Sequence, residues 1–148
     1  MTAQAAERIV IVDDKYMLLS NPLESYLKQK EFNFDIQSTA CWRGYIGTWE
    51  LKNNELHLIG FYGTIKGKEI NLNYLFPDIS FVKADWFTGQ LRIPTGEMIH
   101  YVHGGYASKF SEEMLIEIEK GNVVSTKFEH NEYDETLALL YAQEDLPF

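Results

Sequence analysis

The stretch ADWFTGQLRIPTGEMIHYVHGGY, from Ala84 to Tyr106, is the segment around which we expect the fold to be organised. At its centre the residues Pro94-Thr95-Gly96 predict a turn, because proline presets the backbone angle φ and glycine accepts positive φ. On either side lie apolar and β-branched residues, which favour strands. The stretch therefore predicts a β-hairpin in the middle of an antiparallel sheet.

Length and composition indicate one folded domain that covers residues 1–148. Three Trp, nine Tyr and nine Phe supply large rings, which bury much apolar area and are also frequent at protein interfaces. The single cysteine, Cys41, excludes an intramolecular disulfide and a zinc cluster built on cysteines.

The charge balance narrows the classes of partner. The chain has 22 acidic against 13 basic residues and a formal charge of −9, which argues against nucleic acid because nucleic-acid binding requires a basic surface. Met1 to Glu7 lacks the apolar core of a secretory signal, and no run approaches the ~20 apolar residues that span a membrane. We expect a cytoplasmic protein that does not contact a membrane.

The N-terminal part predicts a hairpin followed by a helix. Arg8 to Val12 and Tyr16 to Leu19 are short strand-like runs around a polar turn. Asn21 then suits the N-cap position of a helix that runs from Pro22 to about Lys30, because asparagine caps well and proline is favoured in the first turn.

The remainder of the chain is rich in strand signals. The aromatic block Thr39 to Lys52, the turn Asn53-Asn54 and the run Glu55 to Phe61 predict a second hairpin. Glu112 to Glu119 alternates like a half-buried strand and returns, after a turn, as Val123 to Phe128. In the run Glu112 to Glu119, the isoleucines lie on one face, and the glutamates Glu113, Glu117 and Glu119 lie on the other, outward face.

These signals together predict a mainly β fold of the α+β class. We expect a strongly twisted antiparallel sheet, either barrel-like or folded as a sandwich, with one helix in the N-terminal half. The segment Asp134 to Gln143 is open between a short C-terminal helix and a tail.

Three residues of the central stretch, Glu97, His100 and His103, are of types that ligate metals. On a strand, residues three apart point to opposite faces, so we expect ordinary histidines and no metal ion. No phosphate-binding loop, dinucleotide fingerprint or G-x-S-x-G motif occurs. We therefore expect no cofactor, no catalytic residues and no enzymatic activity.

Four polar residues of the two aromatic blocks define an alternative site: Arg43, Arg92, Glu97 and His103. If they converged in a concave pocket, the chain would be a small-ligand-binding or enzymatic β-barrel. The competing interpretation is that the arginines form buried pairs with carboxylates and fix the fold.

The C-terminal end is acidic and aromatic. No Lys or Arg follows Lys127, and residues 128–148 contain six acids. Such a surface suits a basic protein partner, because charge steers association and rings anchor the contact. The alternative is a solvated tail with a docked helix. The predicted partner-binding residues are Glu129, Glu132, Tyr133, Asp134 and Glu135.

Two blocks, CWRGYIGTWELKNNELHLI from Cys41 and ADWFTGQLRIPTGEMIHYVHGGYASKF from Ala84, resemble a family of small, mostly uncharacterised bacterial proteins. This family shares the motifs W-R-G-Y-x-x-T-W-E and D-W-F-x-G-x-L-R-I-P-x-G-E. Small acidic bacterial proteins of this type also look like immunity partners of polymorphic toxins. The resemblance implies an antitoxin that occludes the active site of a cognate toxin, whose surface we expect to be basic.

Overall fold

The structure of this chain is a computed structural model, and it describes residues 5–36, 41, 43–101 and 105–131. These residues form eleven strands and two short helices. The strands are, in chain order, β1 (Glu7–Ile11), β2 (Asp14–Leu18), β3 (Tyr45–Lys52), β4 (Glu55–Ile65), β5 (Lys68–Asn71), β6 (Val82–Lys83), β7 (Gly89–Pro94), β8 (Met98–His100), β9 (Lys109–Phe110), β10 (Glu112–Glu119) and β11 (Asn122–His130). The helices are α1 (Glu24–Gln29) and α2 (Leu72–Leu75). Neither of the described helices is long and apolar enough to cross a lipid bilayer.

Nine of the strands form one sheet in the order β2-β1-β3-β4-β11-β10-β7, with β5 and β6 also paired to β4. β1 and β3 run parallel, and the other pairs are antiparallel. β2 and β7, the strands at the two ends of this order, approach each other where the Leu19 N–H, just after β2, donates to the Arg92 carbonyl at 2.8 Å. Strand pairing nevertheless does not close the sheet into a barrel. The predicted mainly β, α+β fold is confirmed, in a sandwich-like form. The segment predicted as a C-terminal helix or tail lies outside the described residues.

The predicted hairpin within Ala84–Tyr106 is wrong, because the strands on either side of its turn do not pair with each other. β7 pairs with β10, and β8 pairs with β9 in a separate two-stranded sheet. The N–H groups of Thr95 and Gly96 both donate to the Glu112 carbonyl, at 2.9 and 3.1 Å, which turns the chain away from β7. Proline and glycine specify a bend locally, but they do not specify which strand occupies the neighbouring edge.

The N-terminal hairpin of β1 and β2 is confirmed, and the predicted helix is present as the shorter α1. Leu23 occupies its N-cap position and makes no side-chain capping bond, so the assignment of Asn21 as N-cap is wrong. Asn21 Oδ1 instead accepts a hydrogen bond from the Tyr106 hydroxyl at 2.7 Å. This contact spans 85 residues, and only the tertiary fold creates it.

Two other hairpins agree with the predicted turns. Asn53 and Asn54, with φ of 55° and 58°, connect β3 and β4. Lys120 and Gly121, with φ of 48° and 82°, connect β10 and β11. Both turns need two residues that tolerate positive φ. β10 has the predicted bounds, but the expected outward position of Glu113 is wrong, because its side chain is 5% exposed.

The core lies against one face of the sheet and beneath α1. Trp49 of β3 is fully buried there, together with Leu23, which precedes the helix. Trp86 contacts α1 and the residues just before it: its indole N–H donates to the carbonyl of Pro22, which precedes the helix, at 2.8 Å. Its ring lies 4.8 Å from that of Tyr26 on the helix. Burial of such large rings accounts for much of the hydrophobic stabilisation of a domain of this size.

Candidate functional site

A buried carboxylate, Glu7 on β1, organises the first aromatic block. Its side chain is 0% exposed and accepts hydrogen bonds from Arg43 Nη2 at 2.8 Å, the Gly47 N–H at 2.6 Å and Trp49 Nε1 at 3.4 Å. A Cβ atom at Gly47 would lie 2.8 Å from Glu7 Oε1, so only glycine lets the carboxylate approach this backbone. Two positions of the first sequence motif, Arg43 and Trp49, thus contact one acid together with the intervening Gly47.

The surroundings of Glu7 shift the pKa of its carboxyl group in two opposing directions. Burial raises the pKa of the Glu7 carboxyl above its ordinary value, because the charged form loses its hydration. The Arg43 guanidinium and the N–H donors of Gly47 and Trp49 partly offset this rise in pKa. Arg43 is itself largely buried, with its side chain 12% exposed, and its Nη1 donates to the Ala5 carbonyl at 2.8 Å.

A second buried ion pair holds the other arginine of the sequence prediction. Arg92 Nε on β7 contacts Glu113 Oε1 on β10 at 2.5 Å. The two terminal nitrogens of Arg92 donate to the carbonyls of Tyr106 and Ser108. Asn131 Nδ2 donates to the other carboxylate oxygen of Glu113 at 3.2 Å. This pair therefore ties the segment that follows β8 to the main sheet.

Tyr106 joins the two ion pairs into one polar network. Its carbonyl accepts from Arg92, and its hydroxyl donates towards Asn21 Oδ1 and the Ala5 carbonyl at 2.7 and 3.3 Å. Ala5 in turn accepts from Arg43. Burial raises the pKa of Tyr106 to about 12, so its hydroxyl remains protonated at neutral pH and serves as a donor.

The four residues of the alternative site do not share one pocket among the described residues. Arg43 and Arg92 bind separate carboxylates, as the fold-fixing interpretation expects. Glu97 is exposed, and its backbone N–H donates to Ser111 Oγ at 3.0 Å. His103 lies outside the described residues.

Sequence reasoning missed the acidic partners of both arginines. Glu7 precedes Arg43 by 36 residues, and Glu113 follows Arg92 by 21 residues. No local motif connects either acid with its arginine. The glycine-punctuated motif around Arg43 was the only signal that another group packs closely there.

A small cavity of about 240 Å³ opens beside Arg43. It lies among α1, the segment that follows this helix and the start of β3. The residues that line it are Asn21, Glu24, Leu27, Lys28, Phe32, Asn33, Phe34, Arg43 and Tyr45. Two of these residues also carry a fully buried polar atom that has no hydrogen-bond partner in the described part of the chain: Arg43 Nε and Tyr45 Oη.

The predicted partner surface is described only in part. Glu129 lies on β11, where Lys127 Nζ contacts its Oε1 at 3.4 Å. The other predicted residues, Glu132, Tyr133, Asp134 and Glu135, lie outside the described residues. β11 pairs with β4 only at Asn122, so from Val124 onwards its outer edge has no strand partner in residues 5–36, 41, 43–101 and 105–131.

Two apolar side chains project from this outer strand. Phe128 is 73% exposed and Val124 is 60% exposed. Three acids of the neighbouring β10 are exposed: Glu112 lies on the same side of the sheet as Phe128, whereas Glu117 and Glu119 lie on the opposite side. We call β11 with these acids the β11 surface. Among the described residues it combines a strand edge without a strand partner, an exposed ring and negative charge.

Metal-ligating residues do not cluster in the described ranges. No group of three or more His, Cys, Asp or Glu side chains there is placed to hold a metal ion. Cys41 is buried as a free thiol, and its Sγ lies 3.7 Å from the Tyr45 carbonyl.

Comparisons of the chain with protein-family models, with curated proteins and with solved structures found no match. The family resemblance of the two motifs therefore stays a prediction.

Proposed function

We propose that this chain is a cytoplasmic binding protein, most concretely an immunity protein that neutralises a cognate bacterial toxin by covering its active site. The observation that carries the proposal is the β11 surface, which offers a partner an open strand edge beside an exposed ring. The choice of a toxin as the partner rests on the likeness of small acidic bacterial proteins of this type to immunity proteins.

The geometry of β11 suits association in two ways. Its outer edge, which pairs with no strand of the described residues from Val124 onwards, can add a strand from a partner, with backbone hydrogen bonds that provide affinity. Phe128 stands on the same side of the sheet as Met114, opposite it in the register of β10 and β11. A large ring that is exposed in the free chain becomes an anchor when a partner buries it.

Charge favours a basic partner. The chain carries a formal charge of −9, and three exposed glutamates of β10 lie next to the open strand. Net negative charge accelerates encounter with a positive surface and weakens binding to acidic competitors. Toxins that attack nucleotides or nucleic acid often have a basic cleft, which an acidic chain complements.

The first test is capture of the partner by the tagged chain from its own cells, with identification by mass spectrometry. We expect one stoichiometric protein whose retention weakens with salt. Expressed alone, that protein should arrest growth, and co-expression with this chain should restore growth. Recovery of no protein, or of one that is harmless when expressed alone, would contradict the proposal.

The second test locates the interface with matched variants. Phe128→Ala should raise the Kd for the captured protein by about tenfold, whereas Phe81→Ala, which also removes an exposed ring (61% exposed), should change it by less than about twofold. Glu129→Lys should slow association at low salt more than Glu69→Lys does. Equal effects of the members of each pair would place the interface elsewhere.

A further inference from the structure

The outer edge of β11 presents backbone hydrogen-bonding groups at a regular spacing. The Asn131 N–H donates to the Ser111 carbonyl at 2.7 Å, which continues the ladder between β10 and β11. Hydrogen-bonded residues alternate along an antiparallel pair, so the residues of this part of β11 that bond to β10 are the odd-numbered ones. The backbone groups of Thr126 and Phe128 therefore point away from β10. They face an edge that has no strand partner within residues 5–36, 41, 43–101 and 105–131.

The charges along this edge are self-complementary. Lys127 and Glu129 flank Phe128 and lie on the opposite side of the sheet from it. Two copies of one strand edge that continue a sheet across a two-fold axis pair antiparallel, and the residue on the axis faces its own copy. An axis at Phe128 places Lys127 of each copy opposite Glu129 of the other. An axis at Lys127 or at Glu129 would place like charges opposite each other, which is destabilising.

The same axis brings two exposed rings together. Phe128 is 73% exposed and lies opposite Met114, on the side of the sheet that carries the core residue Ile116. Across the axis the two Phe128 rings become direct cross-strand neighbours, whose Cβ atoms are ~5 Å apart. Met114 of each copy stands beside this pair of rings, and thioether–ring contacts are favourable. The apolar side of the two sheets then continues across the axis.

Net charge limits the strength of such a contact. Each chain carries a formal charge of −9, so two copies repel each other as whole molecules, although salt screens this repulsion beyond about 8 Å. At the axis itself, Lys127 and Glu129 of each copy balance. A single pair of strands also buries less area than a permanent dimer does. We therefore expect a weak dimer that forms at raised concentration.

We infer that the outer edge of β11 pairs antiparallel with the same edge of a second copy of this chain, with the two-fold axis at Phe128. This inference goes beyond the toxin-binding proposal and does not depend on it. Because the dimer covers the β11 edge, a toxin that binds there displaces the second copy. A basic partner has the advantage in that competition, since it is attracted by the charge that makes two copies repel.

Sedimentation velocity of the full chain at ~0.15 M salt tests the dimer in the absence of any toxin. We expect the fraction of dimer to rise with protein concentration. Phe128→Ala should raise the Kd of the dimer by about tenfold, whereas Phe81→Ala, which removes another exposed ring (61% exposed), should change it by less than about twofold. A chain that stays monomeric up to about 1 mM, or equal effects of the two variants, would overturn the inference.

Charge reversals test the pairing of Lys127 with Glu129. Lys127→Glu and Glu129→Lys should each raise the Kd of the dimer by about two- to tenfold, because each places like charges opposite each other. Lys127→Glu/Glu129→Lys restores opposite charges and should dimerise like the parent. Lys66→Glu, at an exposed position in the turn between β4 and β5, changes the net charge as Lys127→Glu does and is its control.

Glu129→Lys separates local pairing from net charge. This variant reduces the net negative charge, so repulsion between whole chains alone predicts a tighter dimer, whereas the proposed pairing predicts a weaker one. A tighter dimer of Glu129→Lys, no recovery in the double variant, or a Lys66→Glu effect as large as that of Lys127→Glu would contradict the inference.

Cysteine cross-linking measures the position of the axis. In Phe128→Cys the two Cα atoms would lie about 5.5 Å apart, which a disulfide can bridge. In Thr126→Cys they would lie roughly 14 Å apart, because each thiol is two residues from the axis. On air oxidation Phe128→Cys should therefore form a covalent dimer and Thr126→Cys should not; Cys41 is a buried free thiol in the parent chain. Equal cross-linking of the two variants would refute the proposed axis.

Discussion

Replacing Arg43 by methionine would leave the carboxylate of Glu7 buried without its counter-charge. Glu7 is 0% exposed, and after Arg43→Met its donors would be the Gly47 N–H at 2.6 Å and Trp49 Nε1 at 3.4 Å. Breaking a buried ion pair by removing one partner costs about 3–5 kcal/mol. The total stability of a domain is about 5–15 kcal/mol, so the variant should lose a large fraction of its free energy of unfolding.

The loss should depend on pH in a defined direction. Burial already raises the folded-state pKa of Glu7 above its ordinary value of 4.5. Arg43→Met removes a charge and a hydrogen bond that lower this pKa, so it rises further. A proton then binds the folded state more tightly than the unfolded one, and stability falls as the pH rises between the two pKa values. The destabilisation should therefore be largest at pH 7 and smaller at pH 5.

Urea denaturation followed by tryptophan fluorescence at both pH values measures this effect, because Trp49 is fully buried in the folded state. Arg8→Met is the control, since Arg8 is exposed on the same strand as Glu7 and should change stability by no more than about 0.5 kcal/mol. Glu7→Gln/Arg43→Met removes both charges and should be more stable than Arg43→Met alone.

Three outcomes would refute the reasoning. The first is a loss below about 1 kcal/mol for Arg43→Met at pH 7, since a buried pair predicts several times more. The second is an equal loss at pH 7 and pH 5. The third is a double variant that is no more stable than Arg43→Met.

Two further predictions concern the backbone and the tyrosines. Gly44→Ala and Gly67→Ala should each lose about 1–2 kcal/mol, because both positions have positive φ (77° and 78°). Gly44→Ala should lose about 1–3 kcal/mol more than Gly67→Ala, because a Cβ at Gly44 would lie 2.3 Å from the Asp35 carbonyl oxygen. A Cβ at Gly67 would have nothing within 4 Å. Equal urea midpoints for the two variants would contradict this difference in stability. Burial raises the pKa of Tyr106 to about 12 and that of Tyr45 further, so stability should fall as the pH rises from the ordinary 10 towards 12. In absorbance titrations, Tyr106→Phe should remove one late-titrating phenol, and an unchanged late phase would count against its burial.

Local features of the fold were predictable because their causes are local. Asn53-Asn54 tolerates the positive φ of a tight turn wherever it stands in a chain. The alternation of Glu112 to Glu119 marks a strand because successive side chains face opposite sides. Similarly, the two arginines set among aromatic residues predicted buried ion pairs as a type of contact.

The contacts that were not predictable join distant parts of the chain. The turn at Pro94-Thr95-Gly96 is present, but β10 rather than β8 occupies the edge of β7. The alternation placed Glu113 at the surface, whereas Arg92 and Asn131 surround it in the fold. In each case a pairing across many residues outweighs a correct local preference.

The sequence by itself determined the class of fold, its tight turns and the acidic character of the chain, because backbone preferences and charge are properties of short segments. Only the tertiary structure decided that Glu7 is the acid around which the first motif closes, that Tyr106 connects the two ion pairs, and that Arg43 and Tyr45 line one cavity. These facts depend on the order of strands in the sheet. That order results from burying all apolar faces at once, which no local segment specifies.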